Sequence, residues 1–88
     1  MEKEIKRTYP NPAKTVVEIE IISNHDCLAE AFFLDPAGER VFKVPYEIEI
    51  SKGNNTLSLN LAPLIPGRYD LHIQCELETL KTSIEVLR

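Results

Sequence analysis

Two histidines and two cysteines fall in short pairs, His25-Asp26-Cys27 and His72-Ile73-Gln74-Cys75. They are the donor types of a structural zinc site, which needs four side chains converging on one tetrahedral point. His72 and Cys75 stand three apart in an alternating stretch, so they point to opposite faces of a strand and do not converge. His72 is therefore expected on the surface and His25 in a turn, with no metal or other cofactor. Glu18 and Glu20, like Glu47 and Glu49, have carboxylates at a spacing that acid–base chemistry or calcium could use. Catalytic carboxylates need a pocket that perturbs their pKa values, and these alternate outward along flat strands. With one histidine in a turn and one on an open strand face, no Ser-His-Asp arrangement can be assembled. Gly38, Gly53 and Gly67 are isolated; each fits a β-turn, not a phosphate loop. The chain is not expected to be an enzyme, and its work falls to a surface.

The elements that would carry that surface are strands. Leu64 to Cys75 is the clearest stretch: Pro66-Gly67 makes a turn, after which Tyr69, Leu71, Ile73 and Cys75 face one way and Asp70, His72 and Gln74 the other. Such a period of two marks a sheet packed on one side and wet on the other. Pro66 presets φ and Gly67 accepts φ > 0, so the pair starts the strand at a sharp angle.

From the beginning, residues 1–8 are charged, with Ile5 the only apolar residue after Met1, and are expected to be a linker or disordered leader. In Tyr9-Pro10-Asn11-Pro12-Ala13-Lys14 two prolines should hold the chain extended, with Tyr9 laid over one end of a core. Strands are expected at Val16–Ser23, at Cys27–Asp35 with its far end covered on both faces, and at Arg40–Val44, ending at an edge or sheet change at Pro45. Further strands are expected at Tyr46–Ser51, Thr56–Leu61, the Tyr69 strand and Thr79–Leu87. Asp35-Pro36-Ala37-Gly38-Glu39 is a hairpin turn, with Asp at i, Pro at i+1 and Gly for the αL residue. Seven short strands and no helix predict a seven-stranded antiparallel immunoglobulin-like β-sandwich over residues 9–88. Its core should hold Val17, Ile19, Ile48, Leu57, Leu59, Tyr69, Leu71, Ile73, Ile84 and Val86.

Eighty-eight residues, 43% hydrophobic and 27% charged, make one small globular domain. A net charge of −4 excludes nucleic acid and anionic lipid, both of which need a basic footprint. No apolar run approaches the ~20 residues that span a bilayer. The charged start lacks the apolar core of a signal peptide, so the chain is expected to be either cytoplasmic or a piece of a longer exported protein.

Three motifs occur in register. They are Tyr9-Pro10-Asn11-Pro12-Ala13-Lys14, then Phe33-Leu34-Asp35-Pro36-Ala37-Gly38-Glu39-Arg40-Val41, then Leu59-Asn60-Leu61 with Pro66-Gly67-Arg68-Tyr69-Asp70-Leu71. Over residues 9–88 they resemble the C-terminal sorting domain of type IX (Por) secretion cargo, type A. The chain departs from that pattern at Leu34, where a tyrosine is usual, at Ile65, where a proline is usual, and in its last strand, which offers Lys81 and Arg88 in place of a lysine pair.

The resemblance implies a non-catalytic targeting module carried behind an N-terminal cargo, recognised by the outer-membrane secretion machinery and removed by a sortase-like peptidase. It implies an exported protein, periplasmic in transit and then extracellular or at the cell surface, expected to be a monomer with no direct membrane insertion. The residues it marks are Tyr9, Pro10, Asn11 and Pro12; Asp35 and Gly38; Pro66, Gly67 and Tyr69; and Lys81 and Arg88, whose charges are expected to be exposed and dispensable for folding. Periplasmic passage would permit a Cys27–Cys75 disulfide, and two separate buried thiols are the alternative. Apart from the resemblance, an immunoglobulin- or fibronectin-like accessory or adhesion module of a cell-surface protein, or an independent cytoplasmic protein of the same fold, fits the pattern.

Overall fold

The computed structural model describes residues 3–88, all β and without a helix among them. Eight strands run in order: β1 (Lys3–Tyr9), β2 (Val16–Ser23), β3 (Cys27–Leu34), β4 (Arg40–Lys43), β5 (Ile48–Ile50), β6 (Gly53–Asn60), β7 (Gly67–Cys75) and β8 (Glu78–Val86). One sheet has the order β1-β2-β6, and the other β4-β3-β7-β8 with β5 also paired to β3. All these pairings are antiparallel. The two sheets pack as a sandwich.

Alternation in the sequence decides which face of each strand is inside. Val17, Ile19 and Ile21 of β2 and Leu59 of β6 meet Ala29, Ala31 and Phe33 of β3, Leu71 and Ile73 of β7, and Ile84 and Val86 of β8 in one core. Of the expected core residues only Leu57 is partly exposed. The far end of β3 is covered on both faces, as its pattern suggested: Phe33 is fully buried, while Phe32 on the other face lies under Arg40, 3.8 Å from the ring, and against His72.

The chain departs from the sequence reading at its start. Residues 3–8, expected in an unpaired leader, belong to an eighth strand, whereas residues 1 and 2 lie outside the described residues. β1 pairs with β2 from Lys3↔Ser23 to Tyr9↔Glu18, with a bulge between Ile5 and Arg7. Its inward positions are Ile5 and Lys3, and a lysine stem covers apolar surface as an aliphatic chain does. Lys3 is 2% exposed, and its ammonium donates to His25 Nε2 at 3.0 Å, while His25 Nδ1 meets Asn24 Oδ1 at 2.9 Å.

Two further expectations are corrected. Residues 10–12 bend instead of running extended and carry the chain from the β1 sheet to the edge of β8; the peptide bonds before Pro10 and Pro12 are both cis. Tyr9 is not laid over the core; it lies on the polar face of its sheet, its hydroxyl donating to Glu20 Oε2 at 3.0 Å and its ring 4.1 Å from the Arg7 guanidinium. That guanidinium favours the phenolate, but the bond to Glu20 and its negative charge outweigh it, so Tyr9 titrates above a tyrosine's ordinary value. Pro45 marks an edge break and not a change of sheet: β4 before it and β5 after it both pair with β3, and Tyr46 between them is exposed.

Candidate recognition surface

Four stretches reach the same end of the sandwich: the turn after β3, the loop into β7, the end of β8 and the proline segment after β1. Each is held there by identifiable bonds. Asp35 Oδ1 accepts from the amides of Ala37 (3.0 Å) and Glu39 (2.9 Å), and the amide of Gly38 donates to Asp35 O at 2.9 Å. Gly38 has φ 84°, the left-handed residue that the Asp-Pro-Ala-Gly order leads one to expect.

At the start of β7 the Tyr69 ring is buried and its hydroxyl donates to Ile65 O, four residues upstream. This is the tyrosine corner of immunoglobulin-like sandwiches. Gly67 within that corner has φ 156°, and a Cβ there would stand 3.9 Å from the Tyr69 hydroxyl. There is space for it, and the backbone conformation is what favours glycine.

The proline segment closes the edge of β8. Asn11 Nδ2 donates to Ser83 O at 2.9 Å and its Oδ1 accepts from Glu85 N at 3.0 Å. The side-chain amide thereby does what a residue of a neighbouring strand would do. Ala13 continues the pairing through its own backbone, donating to Glu85 O and accepting from Leu87 N, both at 2.8 Å.

Between these parts lies an open groove of about 410 Å3, lined by Asn11, Pro12, Pro36 and Tyr69 and by the polar side chains of Arg68, Asp70, Ser83 and Glu85. Ser83 Oγ donates to Asp70 Oδ1 at 3.2 Å. The groove offers one guanidinium, two carboxylates and two prolines, and no histidine lines it to complete the Ser83–Asp70 pair as a triad. It can grip an extended or polar surface.

Of the residues marked in the sequence, Asn11, Pro12 and Tyr69 line the groove, and Asp35, Pro66 and Gly67 form the turns that present Pro36 and Arg68 to it. Gly38 stands further out on the hairpin. Tyr9 and Pro10 border a separate open groove with Lys14, Val16 and Glu18. Lys81 is not brought to this end; it pairs opposite His72 in mid-sheet and is exposed. The sequence reading did not single out Arg68, Asp70, Ser83 or Glu85. Their outward parity was visible, but not the register that sets Arg68 opposite Glu85 and Asp70 opposite Ser83.

Arg88 is exposed, as expected, but it also makes bonds that the expectation of a charge dispensable for folding did not include. Its guanidinium donates to Leu64 O and to Leu61 O (2.7 Å), tying down the loop before the tyrosine corner. Charge-assisted bonds to carbonyls are worth about 1.5–3 kcal/mol, so Arg88→Ala should lower unfolding free energy by about that much in urea titration. Lys81→Ala should stay within ~0.5 kcal/mol. Equal, near-zero effects of the two would mean that the loop clamp contributes nothing.

The cysteines do not form a metal site. Cys27 and Cys75 are joined in a disulfide, Cα to Cα 6.6 Å, at the end of the sandwich opposite the groove, and no His/Cys/Asp/Glu cluster suited to a metal occurs among the described residues. No described helix is long and apolar enough to cross a membrane.

Residues 7–86 match the family model described as the secretion system C-terminal sorting domain. The chain belongs to that family. The sorting domain is non-catalytic and targets cargo through the type IX secretion system, which entails contact with the secretion machinery and an exported protein. No curated protein matches the chain.

Proposed function

We propose that the grooved end of the sorting domain is the surface by which its cargo is recognised at the outer-membrane apparatus. The observation that supports this reading is convergence: segments far apart in the chain, Asn11-Pro12, Pro36, Arg68 to Asp70 and Ser83 to Glu85, line one groove. The three motifs in register support the type A form, and the cargo would precede residue 1. A sortase-like peptidase would cut ahead of Lys3, because cleavage between Lys3 and Tyr9 would remove β1 from its ladder. Passage would run through the periplasm to the surface or medium, as a monomer. Tyr9, Pro10, Asp35, Gly38, Pro66, Gly67 and Arg88 would then act by shaping or flanking the grip, and Lys81 as a separate exposed charge.

The test fuses residues 1–88 behind a reporter with an inner-membrane signal peptide in a host that has the type IX apparatus. The fusion should reach the medium or cell surface. Arg68→Glu with Glu85→Lys, at an exposed and a half-buried position that face each other across the β7–β8 register, keeps one charge of each sign and should change stability by no more than about 1 kcal/mol, yet lower export about tenfold, equivalent to ~1.4 kcal/mol of recognition. Deleting Thr79–Arg88 should abolish export by removing β8. Periplasmic retention of the intact, folded fusion would overturn the sorting reading for this chain and favour an accessory module; full export of the charge-swapped pair would move recognition away from the groove.

A further inference from the structure

Two open sheets have four edges, and this domain protects three. The edge of β8 is closed by Asn11 and Ala13. β1 carries a bulge and four charges, at Lys3, Glu4, Lys6 and Arg7. The edge formed by β4 and β5 is only four and three residues long and is broken at Pro45. Bulges, charges, prolines and short strands are the devices that keep a sheet edge from pairing.

β6 uses none of them. Its eight residues, Gly53-Asn54-Asn55-Thr56-Leu57-Ser58-Leu59-Asn60, contain no charge and no proline and keep unbroken register with β2. Asn55 folds its side chain back on Ser51 and Gly53 at the strand's start. From Thr56 to Asn60, no backbone hydrogen bond beyond the β2 ladder is made among the described residues. A strand with one neighbour leaves half its amides and carbonyls facing outward.

The edge strands also carry partly exposed apolar side chains. Leu57 of β6 and Phe42 of β4, the edge strands of the two sheets, are both only partly buried against the core. A strand added to β6 would place alternate side chains on the core side beside Leu57 and the intervening ones in solvent beside Thr56 and Ser58. Of the charges on the outer faces of β2 and β4 and around β5, Glu20 is met by Arg7 at 3.8 Å and Lys43 by Glu30 at 3.4 Å, which leaves Glu18, bonded to Ser58 Oγ at 3.1 Å, and Glu47 and Glu49 without a basic partner among the described residues. Lys52 stands at the far end, before Gly53. Together with the net charge of −4, this disfavours a second copy of the chain and favours a basic guest.

We propose that the outer edge of β6, Thr56–Asn60, accepts by strand addition an extended segment of the secretion machinery whose residues alternate apolar and basic. This rests on the sorting reading for the identity of the host protein, but not for the chemistry of the edge. Main-chain pairing supplies affinity in such complexes and the alternate side chains supply choice.

The purified chain, titrated with a synthetic nine-residue peptide alternating Val and Lys, should show amide exchange at Thr56–Asn60 slowed at least about tenfold, with a Val–Glu peptide binding at least about tenfold more weakly. Thr56→Lys with Ser58→Lys should abolish the protection while the melting temperature is kept, and Thr56→Glu with Ser58→Glu should preserve it. In the export fusion the double lysine variant should accumulate in the periplasm, and a photo-crosslinker at Ser58 should trap a component of the apparatus. Protection that falls on another edge, or nowhere, overturns the proposal. So does protection that rises with protein concentration in the absence of peptide, because it assigns the edge to a second copy. Normal export of the double lysine variant overturns the role in secretion and leaves the sorting function intact; failure of the unmodified fusion speaks against sorting alone, because the peptide titration does not depend on it.

Discussion

Phe33→Ala should lower the unfolding free energy by about 3–5 kcal/mol, the range for emptying a buried aromatic site. Phe33 is fully buried, with ring centroids 6.4 Å from Tyr69 in an edge arrangement and 6.3 Å from Phe42. Its removal therefore takes away support from the tyrosine corner at one side and from the β4 edge at the other. Native domains are stable by only about 5–15 kcal/mol, so the variant should be close to half-unfolded at modest urea. The comparison is Val41→Ala on the adjacent strand, 46% exposed, which should shift stability by no more than ~0.5 kcal/mol. A Phe33→Ala midpoint equal to that of Val41→Ala would mean that the core does not depend on this ring.

Replacing both cysteines, Cys27→Ser with Cys75→Ser, should cost about 4 kcal/mol. The bridge spans a sequence separation of 48, and closing a loop of that length in the unfolded chain is worth about that much on the chain-entropy account. Its position suits the task. The β3–β7 ladder runs only from Glu30↔Gln74 to Leu34↔Asp70, and the disulfide joins the two strands just beyond the last pair, where β3 turns to β5 for its partner. Urea titration of the oxidised protein, the reduced protein and the double serine variant checks this. The last two should coincide within about 1 kcal/mol and fall well below the first, whereas coincidence of all three would remove the disulfide from the account of stability. In the sorting context a reduced domain should expose its β strands before recognition, so the same variant should also be exported poorly.

Seven of the eight strands were legible in the sequence because their side chains alternate over enough residues to specify a buried face. The Val16–Ser23 and Leu71–Ile73 stretches are the plainest cases. The Asp35–Glu39 turn and the corner at Pro66-Gly67 were legible because each conformation demands a particular residue type. Acidic charge and the scattered placement of histidine, serine and carboxylate argued for a surface in place of an active site, and three motifs in register pointed to the family.

Tertiary structure alone decided the rest. β1 could not be read, since a strand with Lys3 and Ile5 as its inward residues carries no apolar period, and it exists because β2 offers it a ladder. The groove was hidden because Arg68, Asp70, Ser83 and Glu85 become neighbours only through the β7–β8 register, a relation between strands that neither strand's own pattern contains. Arg88 looked like a free terminal charge because its acceptors, Leu61 O and Leu64 O, are backbone atoms, which have no signature in the sequence. Side-chain parity is set by the alternation of one strand, so a single chain segment reveals it; edges, registers and carbonyl clamps are set between segments, so only the folded molecule shows which edge is closed and which is left open.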